Sequence, residues 1–193
     1  LARISPSLAF YPRMFRVVFK ASSKAKRNIY NDIEFCKSSY AIIRILEDIG
    51  ARFEITGQEI LQHLDRPCVY IGNHMSTLET FVLAAIIMPY QKITFIVKDS
   101  LMRFPVFKHV MISRDPIVVG RENPRDDLRI VLEEGTEKLN NGISIVVFPQ
   151  RTRTPHFNRE EFNSIGIKLA KKAGAPVVPI ALKTDAWGIG KPI

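Results

Sequence analysis

The residues Gly72-Asn73-His74-Met75-Ser76-Thr77-Leu78-Glu79 follow the apolar run Cys68-Val69-Tyr70-Ile71 and lead into a helical pattern. An imidazole between a buried strand and a helix start stands where a general base would be placed. Five residues along a regular helix point two side chains about 140° apart. His74 and Glu79 therefore meet only if His74 lies in the loop and Glu79 in the first helical turn. A carboxylate on one imidazole nitrogen fixes the tautomer and stabilises the imidazolium formed on proton uptake. The same residues fit a capping box, with Ser76 at the N-cap and Glu79 at N3. The residues alone leave both readings open.

A second stretch, Phe148-Pro149-Gln150-Arg151-Thr152-Arg153-Thr154, follows another apolar run. Arg grips phosphate or carboxylate oxygens bidentately, so two Arg and two Thr, Arg151 to Thr154, at a strand end suggest an anion site. A solvated basic loop has the same composition. Arg121 follows a third apolar run and Lys98 a fourth. If these four loops share one edge of a parallel sheet, they form an anion-binding cleft beside a base. Other chemistries lack their residues: GxxxxGK[ST], GxGxxG, GxSxG and HExxH are all absent. Cys36 and Cys68 suggest neither a disulfide framework nor a metal cluster, and Cys68 reads as core. No metal ligand set is expected. A reducing compartment is the simpler reading of two cysteines.

The elements that would position these residues alternate. Strands are expected over 68–71, 93–97, 116–119, 143–148 and 177–182, with a short one over 53–55. Helices are expected over 34–49, 76–88, 124–139 and 162–173. Apolar strands alternating with helices predict an α/β fold with a largely parallel sheet flanked by helices. Sites in such sheets form at the carboxyl ends of strands. The longest apolar run, Phe81 to Tyr90, is about half of the roughly 20 residues a spanning helix needs.

The charge is uneven. Of 28 Lys and Arg against 19 Asp and Glu, Arg3, Arg13, Arg16, Lys20, Lys24, Lys26 and Arg27 fall in the first thirty residues, which hold no acid. At 100° per residue, Arg13, Arg16, Lys20, Lys24 and Arg27 form one stripe about 80° wide, with Pro12 in the first turn. Met14, Phe15, Val18, Phe19, Ala21 and Ala25 fall opposite. Residues 13–27 thus read as a basic amphipathic helix. They would lie either on an anionic membrane surface or against the body with a solvated charged face. Confinement of charge to this arm, with Trp187 the only Trp, argues against nucleic acid. The expected organisation is a helical membrane-associating region over 1–49 and an α/β domain over 50–193. The start at Leu1 and end at Ile193 suggest a piece of a longer protein, truncated at its C-terminal side.

These blocks together resemble the glycerolipid acyltransferases, the lysophosphatidate acyltransferase family. Asn73-His74-x4-Glu79 resembles its N-H-x4-D motif, and Phe148 to Thr154 its F-P-E-G-T-R-S block. Val119-Gly120-Arg121 sits where the second-motif arginine lies. Lys98-x-x-Leu101-x-x-x-Pro105 is similar to K-x-x-L-x-x-x-P, and Val177 to Leu182 to V-V-P-V-A. The ordered set covers roughly residues 50–185. The resemblance implies a glycerol-3-phosphate acyltransferase-like fold and acyl transfer from a thioester to the hydroxyl of lysophosphatidate. It makes His74 the base, Glu79 its partner, and Arg121 and Arg153 phosphate ligands, with Lys98 a further candidate. The donor would be acyl-coenzyme A or acyl carrier protein, with no cofactor beyond it. The basic arm would dock at the cytoplasmic face as a peripheral or monotopic element. Another glycerol-phosphate or lysophospholipid acceptor, or a non-catalytic lipid-binding relative, are the alternatives. Three residues depart from the pattern: Glu79 replaces Asp, and Gln150-Arg151 replace Glu-Gly.

Overall fold

Five short aliphatic runs form the strands β1 (Val69–Gly72), β2 (Ile93–Lys98), β3 (Ile117–Val119), β4 (Ser144–Val147) and β5 (Val177–Ile180). The computed structural model describes residues 5–150 and 152–184; Arg3, Arg151, Trp187 and the terminal Ile193 lie outside them. The strands make one sheet in the order β3-β2-β4-β1-β5, every pair parallel. All five carboxyl ends therefore lie on one edge, as the sequence pattern anticipates.

Alternate residues of the strands face different helical layers. Val69, Ile145, Val147 and Ile117 pack with Val131 and Leu139 of α6 (Pro124–Asn140) and Leu169 of α7 (Ile165–Ala173). Tyr70, Val146 and Ile93 pack with Leu83 and Ile87 of α4 (Leu78–Ile87), where Cys68 is fully buried. Burial pushes the Cys68 thiol up, which suits a core residue rather than a nucleophile. Gly166 lets α7 close on β1: a Cβ there would stand 2.8 Å from Ile71 Cδ1.

The N-terminal helices pack on α4. In α1 (Pro6–Lys26) and α2 (Asp32–Asp48), Phe10, Met14, Val18, Ile42 and Leu46 join Leu78 and Val82 in one cluster. The helix begins earlier than expected: Ser5 caps it, Pro6 takes the first turn, and Pro12 lies inside it. Met14, Val18, Ala21 and Ala25, on the apolar side that would meet either a membrane or the body, are buried within the protein. Phe15 (45% exposed) and Phe19 (56%) remain outside. Two of the five stripe cations are paired with α2, Arg13 with Asp48 at 2.5 Å and Lys24 with Glu34. A helical wheel separates polar from apolar but does not say which part of the apolar arc meets a partner.

Four expectations differ locally. Residues 53–55 form no strand; Phe53 instead anchors a loop on the α1–α2 cluster, ahead of the short α3 (Glu59–Gln62). Tyr40, spaced helically with the apolar residues Ile43, Leu46 and Ile49 and so expected on their side of the helix, is exposed. β5 is a half-exposed edge strand. The helix α5 (Phe107–Ser113), preceded by a 3-10 turn over Asp99–Arg103, was not anticipated. Among the described residues, no helix is long and apolar enough to cross a membrane.

Candidate active site

The chain leaves β1 at Gly72 into a side-chain continuation of the sheet. Leu182 N donates to Asn73 Oδ1 at 2.7 Å, and Asn73 Nδ2 donates to Leu182 O at 2.8 Å. Asn73 thus ties the loop to the segment after β5. His74 comes next, its ring stacked on Phe148 with centroids 4.4 Å apart and planes 15° apart. Its backbone is held twice by the loop after β4. His74 N donates to Gln150 Oε1 at 2.5 Å, and Thr154 N donates to His74 O at 2.9 Å.

Glu79 lies in the first turn of α4 and is fully buried. Its carboxylate accepts from Met75 N at 2.6 Å, from Ser76 N at 2.8 and 3.0 Å, and from Ser76 Oγ at 2.8 Å. Thr184 Oγ1 adds a fourth donor at 3.4 Å. Ser76 Oγ in turn accepts from Leu78 N at 3.0 Å. Ser76 and Glu79 thus bond to each other much as in a capping box, although the N-cap is Thr77, one residue later than expected and without a side-chain cap bond. The same carboxylate places Oε1 4.0 Å from His74 Nδ1. The two sequence readings are therefore compatible. The separation exceeds a hydrogen bond. Catalytic contacts in unliganded sites are commonly long and tighten on binding. Nδ1 is buried and has no hydrogen-bond partner.

Burial is the main influence on His74, and it holds the imidazole below the ordinary histidine value. Glu79 opposes this, and the charges of Arg153 and Arg121 reinforce it. Both arginines therefore act on His74 although they come from different loops. Arg153 Nη1 donates to Thr77 Oγ1 at the entrance to α4. Arg121 takes a left-handed backbone, φ 65°. That turn is clamped by Asp127 of α6, which accepts from Gly120 N and Arg121 N at 3.0 Å each. Thr152 is exposed beside Arg153. Lys98 is also exposed, in register with Val119. Its charge is not among those acting on His74.

The structure therefore brings His74 beside Glu79, with the charges of Arg121 and Arg153 acting on His74, while Thr152 and Lys98 stand exposed at strand ends of the same edge. Asp127, Thr184 and the Phe148 platform lay outside the sequence reading. No group of three or more metal-ligating side chains occurs among the described residues.

A family model described as Acyltransferase matches residues 52–183. The chain belongs to the acyltransferase family. It is 32% identical over 147 residues to the 1-acyl-sn-glycerol-3-phosphate acyltransferase of Pseudomonas aeruginosa, covering 76% of this chain and 54% of that protein. It is 33% identical over 138 residues to the chloroplastic 1-acyl-sn-glycerol-3-phosphate acyltransferase BAT2 of Brassica napus, covering 72% and 38%. The chain thus spans about half or less of the length of these relatives. The crystal structure of the 1-acyl-sn-glycerophosphate (LPA) acyltransferase PlsC from Thermotoga maritima superposes with a TM-score of 0.61 at 23% identity. That match covers 90% of this chain and 70% of PlsC, and it shows the same fold. The acyltransferase match spans every strand and His74, Glu79, Arg121 and Arg153.

Proposed function

We propose that this acyltransferase moves a fatty acyl group from a thioester to the free hydroxyl of lysophosphatidate, with His74 as general base. The observation that carries the reading is the buried Nδ1 facing Glu79 at 4.0 Å, on the strand-end edge that also presents Arg121 and Arg153. The names of the relatives support the substrate class. With Nδ1 directed at Glu79, Nε2 is the nitrogen left for a hydroxyl. The hydroxyl oxygen attacks the thioester carbonyl carbon as its proton passes to Nε2. The tetrahedral intermediate then expels the thiolate, which takes the proton back from the imidazolium. Glu79 stabilises the charged ring between the two steps. Arg153, Arg121 and Thr152 hold the phosphate and so orient the hydroxyl. The donor in this reading is acyl-coenzyme A or acyl carrier protein.

Assays with acyl-coenzyme A, acceptor in vesicles and thiol release as readout test this reading. Lysophosphatidate should be acylated in preference to a monoacylglycerol lacking the phosphate. In Arg153→Ala, KM for lysophosphatidate should rise about 10- to 100-fold, the loss of one charge-assisted contact, with KM for the thioester little changed. Equal use of both acceptors by the wild type would overturn phosphate recognition.

The chain docks, in this reading, on an anionic membrane surface at the cytoplasmic face, as a peripheral or monotopic protein. The surface is narrower than the wheel implied. Leu8, Phe15 and Phe19 form an exposed ridge on α1, and Pro105 and Val106 lie beside Phe19. Arg16 and Lys20 are exposed on the same helix. The double variant Phe15→Ser/Phe19→Ser should lose about tenfold or more in affinity for anionic vesicles while folding normally. Undiminished vesicle binding would remove α1 from the docking surface.

A further inference from the structure

Gln150 is 3% exposed, and its side-chain carbonyl accepts the His74 peptide N–H at 2.5 Å. The His74 carbonyl accepts from Thr154 N at 2.9 Å. Both peptide groups of His74 are therefore tied to the loop carrying Arg153, whereas imidazole Nδ1 has no hydrogen bond. The base is seated by the anion-binding loop before it is oriented by its carboxylate neighbour. We propose that Gln150 is a positioning residue for His74, and that its neutral amide seats the base without adding a second carboxylate. The inference rests on His74 being the base.

Any acceptor oxygen at position 150 would satisfy the His74 N–H. The amide is distinguished only by its lack of charge. The charged groups acting on His74 are Glu79 from α4, Arg153 from the loop after β4 and Arg121 from the loop after β3. The side toward β5 supplies the Thr184 hydroxyl, and Phe148 supplies a neutral ring. Glu79 is thus the one negative charge in this set. A glutamate at 150 would bond to a peptide N–H three covalent bonds from the ring. It would place a second negative charge there and favour the imidazolium. It would also follow the F-P-E-G-T-R-S pattern from which this chain departs.

The test compares wild type, Gln150→Glu and Gln150→Met. The imidazoles are titrated by NMR, with His74→Ala assigning the signal and His63, His109 and His156 as internal controls. In Gln150→Glu the His74 midpoint should move to higher pH while the other three stay. The acid limb of turnover should move with it, and the plateau kcat should exceed that of Gln150→Met. In Gln150→Met, which has the bulk but no oxygen, kcat should fall about tenfold or more with thioester KM unchanged. A purely structural role would lower the melting temperature without moving the His74 midpoint. An unmoved midpoint in Gln150→Glu, or wild-type kcat in Gln150→Met, overturns the proposal. Should Gln150→Met not fold, the titration of Gln150→Glu decides. That titration needs no turnover, so equal turnover in wild type and His74→Ala would refute the catalytic reading separately.

Discussion

His74→Ala should reduce acyl transfer by about 10²- to 10⁴-fold, the range that a positioned general base contributes. The loss should appear in kcat, because the phosphate contacts proposed for Arg153 and Arg121 do not depend on the ring. The variant should fold. Gln150 and Thr154 hold the backbone of residue 74, and alanine keeps both bonds. The stacking on Phe148 is lost, but so is a buried nitrogen without a hydrogen bond. The acid response should also change. Burial lowers the folded-state pKa of His74, so the unfolded chain binds the proton more readily. That mismatch leaves stability untouched well above the ordinary value of 6.5 and erodes it as pH falls below it. His74→Ala removes this part of the acid sensitivity, which thermal melts across that range would show.

Glu79→Gln should affect both activity and stability. Both oxygens of the buried carboxylate accept hydrogen bonds, from Met75, Ser76 and Thr184. An amide NH₂ in place of either oxygen turns a donor toward a donor, at about 1–3 kcal/mol. For a chain of this length that is a melting-temperature fall of about 5 °C. Turnover should fall about 10²-fold or more, since the imidazolium loses its counter-charge and the loop its anchor. Glu79→Asp keeps the charge and should retain more activity than Glu79→Gln. A reversed order of these two variants would assign Glu79 to capping alone.

The strands were legible because runs such as Cys68 to Ile71 are apolar on both faces, as the strands of a covered parallel sheet are. The short α5 was not, because few residues carry its period. The His74–Glu79 proximity could be reasoned from spacing alone, since both residues belong to one loop–helix junction. Gln150 lies 76 positions from His74, and Thr184 lies 105 from Glu79. Contacts of that span depend on strand order, here β4-β1-β5, which no local pattern encodes. The arm shows the converse difficulty. Its amphipathic period was plain, but Met14 and Val18 meet Ile42 and Leu46 of α2 rather than lipid, and only Phe15 and Phe19 are left outward.

The most direct measurement is kcat/KM for acyl transfer to lysophosphatidate as a function of pH in the wild-type chain. A neutral, partly buried His74 acted on by the charges of Arg121 and Arg153 predicts activity rising along one proton-loss limb whose midpoint lies below 6.5. A limb centred at or above 6.5, or transfer that does not depend on a proton-loss step at all, would contradict His74 as the base.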